Sequence, residues 1–420
     1  MTDIISDAEQ AGFASDLTQS NTLGDSVKAY GQRVRGGDMG ALPSIAGLIV
    51  LFIVFGLAND RFLSNLNMAN LATQAGSIII LAMALVPVLL LGDIDLSAGV
   101  AGSTGAAVMG LLIVDHDVAW GLAVVAALVT GVVIGILTGM LVAKLGIPSF
   151  VVTLAFFLGL QGVILKLIGE GGSVRIDQPV IAGIANNNMS VTAGWVSALV
   201  IIVVFAALRL LQHRRKVARN LQHQPIAVVV LQIISLAVVL LGVTLVLNQN
   251  RSVNINFPIR GIPYVIPLVV VLLILWTFAL GRTTWGRHVY AVGGNAEAAR
   301  RAGINVDRIR ISVFMMCSTM AVVSGIVLAS YGGKVSTSSG GQNTLLYAVG
   351  AAVIGGTSLF GGKGKASNAV VGGLVIATIA NGLGLLAQAS WINYVVTGGV
   401  LLLAATVDAI SRRRRSASGL

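Results

Sequence analysis

The run Gly-Asp-Ile-Asp-Leu-Ser-Ala-Gly at 92–99 carries the side chains best suited to chemistry in this sequence. Asp93, Asp95 and Ser97 alternate with apolar residues where one apolar segment ends and the next begins. Asp95 or Ser97 could cap the following helix, because a short oxygen side chain accepts hydrogen bonds from its free amides. The alternative is a substrate-path or gating element, since Pro87 is expected to break the preceding helix. The residue types favour the cap.

Further polar and small residues lie inside apolar runs. Asn381 and Gln388 could bind the hydroxyl groups of a ligand, although such residues more often bridge two helices. Gly131, Gly135 and Gly139 form two successive GxxxG steps, and small residues four apart let helix backbones approach closely. Packing within the chain is the favoured interpretation of these glycines, and a homodimer face is the alternative.

No motif for catalysis is present. A P-loop needs G-x-x-x-x-G-K-[ST], and GGKGKAS at 361–367 lacks the first glycine of that spacing. There is no HExxH, no GxSxG and no pair of membrane carboxylates. The single Cys317 excludes a disulfide within the chain and a cysteine-based metal site. We therefore expect no enzyme activity, no cofactor and no metal.

The elements that position these residues follow from composition. Of 420 residues, 56% are hydrophobic and only 10% are charged, whereas soluble chains carry about 25% charged residues. With about 20 apolar residues per crossing, the sequence predicts an all-α, polytopic transmembrane bundle of about 12 spans. The apolar runs lie at 43–58, 70–91, 97–114, 118–143, 149–168, 195–211, 226–247, 262–281, 309–331, 344–360, 368–388 and 391–410. The short, glycine-rich 344–360 run is a candidate re-entrant helix.

Lysine and arginine set the orientation, because cytoplasmic loops carry the excess of them. With a cytoplasmic N-terminus, 21 of the 27 basic residues fall on the cytoplasmic side. We expect a cytoplasmic tail at 1–42, a transmembrane domain at 43–411 and a basic cytoplasmic tail at 412–420. The polar N-terminal stretch argues against a cleavable signal peptide. The net charge of +11 then reflects membrane orientation, and no nucleic-acid partner is expected.

The largest cytoplasmic loop in this topology is the 282–308 segment. Its AEAARR stretch at 296–301 has high helix propensity. Gly293 and Gly294 before it and Gly303 after it are predicted start and stop signals of a helix. A short surface helix of this kind can seat in a groove of another protein, and a solvated connector is the alternative. The apolar runs hold no ionisable residue near their centres, which argues against proton coupling and places the energy supply outside the chain.

Three stretches resemble a known family: GRHVYAVGGNAEAARRAGINVDRI at 286–309, the 92–99 run, and IPSFVVTLA at 147–155. They are similar to the permease subunits of bacterial ABC monosaccharide importers of the ribose, xylose and galactose group, and the resemblance covers residues 45–410. The family usually has Gly where Asp93 stands here, which leaves the role of Asp93 open.

The resemblance implies partners and a docking site. In this family the 282–308 segment holds a coupling helix that docks in a cleft of the ATP-hydrolysing subunit. The residues this assigns to coupling are Gly293, Gly294, Asn295, Glu297, Ala298, Ala299, Arg300, Gly303 and Ile304. A second permease copy, a periplasmic sugar-binding protein and membrane lipid are the other implied partners, at the bacterial inner membrane.

The resemblance also implies a substrate. Shorter family members lack the hydrophobic pair at 195–247, and this insertion is similar to that of the xylose permeases. D-xylose is therefore expected ahead of ribose, galactose and arabinose. Asp93, Asp95, Ser97, Asn381 and Gln388 are the candidate substrate-path residues. An ion-coupled secondary sugar transporter and a membrane scaffold or receptor without flux remain the alternatives.

Overall fold

The computed structural model describes residues 24, 42–221, 223–252, 254, 256, 258–386, 391, 392, 394–400, 402, 403, 406 and 409. The described chain is mostly helical, as the composition predicts. Its contacts divide it into two compact units, one containing residues 190–249 and the other residues 40–189 and 250–410.

The helices and strands follow one another with short connections. In chain order they are α1 (Leu42–Ala58), α2 (Asn65–Leu90), α3 (Ala98–Val114), α4 (Trp120–Lys144), α5 (Ser149–Ile168), β1 (Ser173–Arg175), α6 (Pro179–Asn186), α7 (Val191–Ala218), α8 (Ile226–Asn248), α9 (Val265–Arg282), α10 (Thr284–Gly294), α11 (Ala296–Arg301), α12 (Val306–Gly332), β2 (Lys334–Ser336), α13 (Gln342–Ile354) and α14 (Ala366–Leu385).

Eight helices of the described chain are long and apolar enough to cross a membrane: α2, α4, α5, α7, α8, α9, α12 and α14. Three shorter apolar helices, α1, α3 and α13, match further predicted runs. The predicted 344–360 run is the 13-residue helix α13 followed by turns. The 391–410 run lies partly outside the described residues. A multi-pass helical membrane protein is thus confirmed, and the number of twelve spans stays a prediction.

The described residues also contain one short pair of strands, which the sequence analysis did not predict. Strands β1 and β2 pair antiparallel, with Ser173 opposite Ser336 and Arg175 opposite Lys334. Each strand has only three residues and lies in a connection between helices. Hydropathy patterns do not reveal such a pairing, because its backbone hydrogen bonds depend on segments more than 150 residues apart.

Helix α2 forms the centre of the larger unit. In its most apolar stretch 89% of the residues are buried, because α9, α12 and α14 pack around it. The hydroxyl of Ser324 donates to the carbonyl of Ser77 (2.7 Å), and the indole of Trp276 donates to the carbonyl of Met83 (2.7 Å). The sequence analysis expected Pro87 to break this helix, and that prediction is wrong, since α2 continues to Leu90. A proline there removes one amide hydrogen bond without ending the helix.

Helices α7 and α8 make up the described part of the smaller unit and correspond to the predicted 195–247 pair. The hydroxyl of Ser190 caps α7 by accepting from the amide of Ala193 (3.2 Å). Helix α7 runs on to Ala218 and carries the basic residues Arg215 and Lys216 in its last turn. The chain turns at Asn220, whose φ of +50° is a left-handed conformation that asparagine tolerates.

Candidate functional site

Asp95 lies at the start of α3 with only 1% of its surface exposed. Its Oδ1 accepts hydrogen bonds from the backbone amide of Ser97 (2.9 Å) and from the Ser97 hydroxyl (2.6 Å). Ser97 makes no side-chain cap of its own. Burial raises the pKa of the Asp95 carboxyl above its ordinary value, and the hydrogen bonds from Ser97 oppose that rise. Of the two candidate capping residues, the structure therefore uses Asp95.

Asp93, on the same turn, faces the first turns of α12. Its Oδ2 lies 3.4 Å from Nε of Arg310, but the geometry of this ion pair does not make a hydrogen bond. Burial raises the pKa of the Asp93 carboxyl, and this outweighs the lowering by the Arg310 charge and by a hydrogen bond from Ser149. The Ser149 hydroxyl also accepts from the amide of Ile94 (3.1 Å). The 92–99 run is thereby tied to the starts of both α5 and α12.

Asn381 pairs with a residue that the sequence analysis did not single out. The Nδ2 of Asn67 donates to Oδ1 of Asn381 (2.8 Å), and Nδ2 of Asn381 donates back to Oδ1 of Asn67 (3.0 Å). Nδ2 of Asn381 also reaches Oε1 of Gln74 (3.4 Å). The spacing of Asn67 and Gln74 was the available signal, since seven residues place two polar side chains on one helix face. Gln388 lies outside the described residues.

Those predicted substrate-path residues that the structure describes do not form one site. Asp93, Asp95 and Ser97 follow the last residue of α2, whereas Asn381 pairs with Asn67 near the first. At 1.5 Å per residue, the rise of α2 from Asn67 to Leu90 separates these groups by about 35 Å. The structure therefore holds two distinct polar regions, one at each end of α2.

The three glycines of α4 all face α12. A Cβ atom at Gly131 would lie 2.9 Å from the carbonyl oxygen of Ser318. One at Gly135 would lie 2.5 Å from Cα of Met315, and one at Gly139 would lie 2.8 Å from Cα of Ile311. These distances are too short for any side chain, so the glycines permit backbone contact between two helices of the same chain.

The 282–308 segment contains two short helices, α10 and α11. The side chain of Asn295 begins α11 by accepting from the amide of Ala298 (2.9 Å), and Gly303, with a φ of +83°, ends it. Glu297 lies 3.5 Å from Arg300 and 3.2 Å from Arg301. All three charged side chains are more than half exposed, so these ion pairs add little stability and leave charge for another contact.

The predicted coupling residues divide into two groups. Gly294, Asn295, Glu297, Ala298, Arg300 and Gly303 are exposed. Ala299 is 5% exposed, and a Cβ atom on Gly293 would lie 1.8 Å from the carbonyl oxygen of Leu90. Ile304 is half-buried and donates its amide to the carbonyl of Ala299 (3.0 Å). The first group is free to meet a partner, and the second holds α10 and α11 against the rest of the chain.

A backbone junction lies where α10 meets the end of α2. The carbonyl of Leu90 accepts a hydrogen bond from the amide of Gly362 (2.9 Å) and also packs against Gly293. The Tyr290 hydroxyl donates to the carbonyl of Gly364 (2.7 Å). Burial raises the pKa of Tyr290, so the phenol stays neutral and keeps this donor. The 361–364 loop is thus a structural support for α10 and has no phosphate-binding spacing.

A polar cavity of about 350 Å³ lies between two loops of the larger unit. The asparagines at 186–188 line it together with Arg260 and Tyr264. Nη2 of Arg251 donates to Oδ1 of Asn188 (2.6 Å) and fixes one wall. Burial lowers the pKa of Arg251, although not enough to remove the charge of a guanidinium at neutral pH. Among the described residues no group of His, Cys, Asp or Glu is arranged to hold a metal ion.

The known proteins to which this chain is similar are transport permeases. Residues 67–405 match the family model described as the permease component of the branched-chain amino acid transport system. The chain is 33% identical to the xylose transport system permease protein of Haemophilus influenzae over 88% of this chain and 96% of that protein. It is also 33% identical to the xylose transport system permease protein of Escherichia coli, over 88% of this chain and 92% of that protein. It is 29% identical to the ribose import permease protein of Escherichia coli, over 87% of this chain and 92% of that protein. No solved structure matches.

Proposed function

Because the chain belongs to the permease family of the branched-chain amino acid transport system, we propose that it is the membrane-spanning subunit of an ATP-driven monosaccharide importer. It is a multi-pass inner-membrane transport protein. The observation that carries the proposal is the similarity to sugar permeases along 88% of the chain. Since no catalytic motif occurs in the sequence, ATP hydrolysis is assigned to a separate subunit.

D-xylose is the proposed cargo. The similarity to the two xylose proteins, at 33% identity, exceeds that to the ribose protein, at 29%. The α7–α8 pair supports the same choice, since it corresponds to the insertion expected of xylose permeases. Ribose, galactose and arabinose are the alternative sugars of the proposal.

The exposed face of α11 is the proposed contact with the ATPase. It presents Asn295, Glu297, Ala298 and Arg300 to the outside of the chain. Behind it, the contact between Gly293 and Leu90 links α10 to α2 without an intervening side chain. A displacement of α11 would therefore be transmitted through α10 to the C-terminal end of α2, the most buried of the candidate membrane-spanning helices.

The remaining partners follow from the orientation. With the 282–308 segment and both termini in the cytoplasm, the polar cavity beside Arg260 lies on the periplasmic side, where a sugar-binding protein would deliver its cargo. A second permease copy completes the proposed complex. The exposed apolar side chains of α7 and α8 are assigned to lipid, because a bilayer solvates such side chains.

Reconstitution tests the proposal. The chain would be purified with a candidate ABC ATPase and a candidate sugar-binding protein and placed in liposomes. We expect D-xylose uptake that requires ATP and the binding protein and that a protonophore leaves unchanged. Uptake driven by an ion gradient without ATP would establish a secondary transporter instead. Uptake of ribose, galactose or arabinose in preference to xylose would correct the sugar and leave the importer standing.

A further inference from the structure

Four polar side chains form one hydrogen-bonded chain, the amide network, at the end of α2 opposite the 282–308 segment. Asn67 and Asn381 exchange two amide hydrogen bonds, and Asn381 also donates to Oε1 of Gln74. Nε2 of Gln74 donates to the hydroxyl of Tyr331 (2.9 Å). The network therefore joins the beginning of α2 to the ends of α12 and α14.

Exposure rises steadily along the amide network. Asn67 and Asn381 are 6% and 8% exposed, Gln74 is half-buried, and Tyr331 is 41% exposed. The inner pair satisfies its donors within the protein, since Asn67 also donates to the carbonyl of Phe62 (2.8 Å). At the outer edge, the second N–H of Gln74 and the hydroxyl proton of Tyr331 have no acceptor within the described part of the chain.

Helix bridging alone does not account for this arrangement. The Asn67–Asn381 pair already joins α2 to α14 with two bonds. Gln74 and Tyr331 extend the network to an accessible edge, where a hydrogen bond between neutral groups adds little stability because water competes for it. Asparagine and glutamine in membrane-spanning helices usually bridge helices, so a polar pair that lies beyond the bridge and adds little to packing is a candidate for substrate contact.

The hydrogen-bonding groups of Gln74 and Tyr331, at the exposed end of the amide network, indicate which class of ligand would bind there. The amide network carries no formal charge, so it offers no counter-charge to an ion. Gln74 and Tyr331 together supply amide and phenol donors and acceptors, and Tyr331 adds an exposed aromatic face. A neutral ligand with several hydroxyl groups matches both properties, because each hydroxyl donates and accepts.

We propose that Gln74 and Tyr331 contact the sugar hydroxyls during transport, and that Asn67 and Asn381 position Gln74 for that contact. This inference rests on the proposed importer function. It assigns substrate contact to Gln74 and Tyr331 at the edge of the amide network and gives the predicted residue Asn381 a positioning role.

The test uses the full complex in liposomes. The binding protein is loaded with D-xylose in one set of assays and with D-ribose in the other. The variants are Gln74→Leu and Tyr331→Phe. Tyr394→Phe is the matched control, since Tyr394 is 51% exposed and its hydroxyl accepts a hydrogen bond from Asn343 outside the network. Loss of one neutral hydrogen bond predicts a decrease in xylose uptake of roughly threefold to tenfold and a changed xylose-to-ribose ratio.

The ratio separates recognition from structural damage, because a misfolded permease loses uptake of both sugars equally. Unchanged uptake and an unchanged ratio in Tyr331→Phe would overturn the sugar contact while leaving the importer function intact. Absence of ATP-driven sugar uptake by the unmodified complex would instead overturn the proposed function. Should Gln74→Leu fail to assemble, Tyr331→Phe decides alone, since it removes one oxygen from an exposed side chain.

Discussion

Gly293 and Leu90 are in backbone contact: a Cβ atom on Gly293 would lie 1.8 Å from the carbonyl oxygen of Leu90. The same carbonyl accepts the amide of Gly362 (2.9 Å), so three segments meet at one oxygen atom. The neighbouring Gly294 has nothing within 4 Å of its hypothetical Cβ. Two adjacent glycines of the 282–308 segment therefore differ: Gly293 packs against the rest of the chain, whereas Gly294 faces open space.

Replacing Gly293 with alanine is expected to destabilise the permease itself. The added methyl group must displace α10 from α2, and overpacking of this kind costs about 1–3 kcal/mol. The measurement is the melting temperature of the purified chain in detergent, together with ATP-driven uptake, and both should fall. Gly294→Ala is the control and should melt like the unmodified chain. Equal melting temperatures for the two variants would contradict the junction.

Gly135→Ala is expected to separate α4 from α12. Its methyl group would lie 2.5 Å from Cα of Met315, so the two backbones must move apart. We expect a lower melting temperature for the single chain, at a cost of about 1–3 kcal/mol. Gly159→Ala is the control, because this glycine lies within α5 and meets nothing within 4 Å. If Gly135→Ala altered only the oligomeric state, a homodimer face would be the better interpretation.

Asp93 should make stability depend on pH. Its folded pKa is raised by burial, so the folded protein binds the proton more tightly than the unfolded chain. The protein should therefore be more stable when Asp93 is protonated, and it should lose this contribution as pH rises from the ordinary value of 3.8 through the raised value. Asp93→Asn removes the titration and should flatten the melting temperature over that window.

The control for this prediction is Asp60→Asn, which changes an exposed carboxylate in the turn between α1 and α2. It controls for the loss of one carboxylate charge. Asp95 also has a raised pKa, so some dependence persists in Asp93→Asn. A steeper pH dependence in Asp93→Asn than in the unmodified chain would show that the ion pair with Arg310 outweighs burial.

The sequence predicts the helices of this protein better than its polar contacts. Long apolar runs identify the helices because a bilayer demands about 20 apolar residues, and Gly303 ends α11 as predicted. The start of α11 is set by the side chain of Asn295, since Gly293 and Gly294 belong to α10. The pairing of Asn67 with Asn381 was not predictable, since it joins residues 314 positions apart. The division of the 282–308 segment into inward and outward residues likewise depends on tertiary packing, such as that of Gly293 against Leu90, which no local pattern reports.

The two alanines of α11 offer the sharpest test of partner docking. Ala298 is exposed, whereas Ala299 is 5% exposed and packs within the chain. Ala298→Leu should leave the melting temperature of the isolated permease unchanged and weaken its co-purification with the ATPase, because the enlarged side chain protrudes from the proposed docking face. Ala299→Leu should lower the melting temperature by overpacking, at a cost of about 1–3 kcal/mol. Full ATPase binding and uptake in Ala298→Leu would place the docking surface elsewhere on the chain.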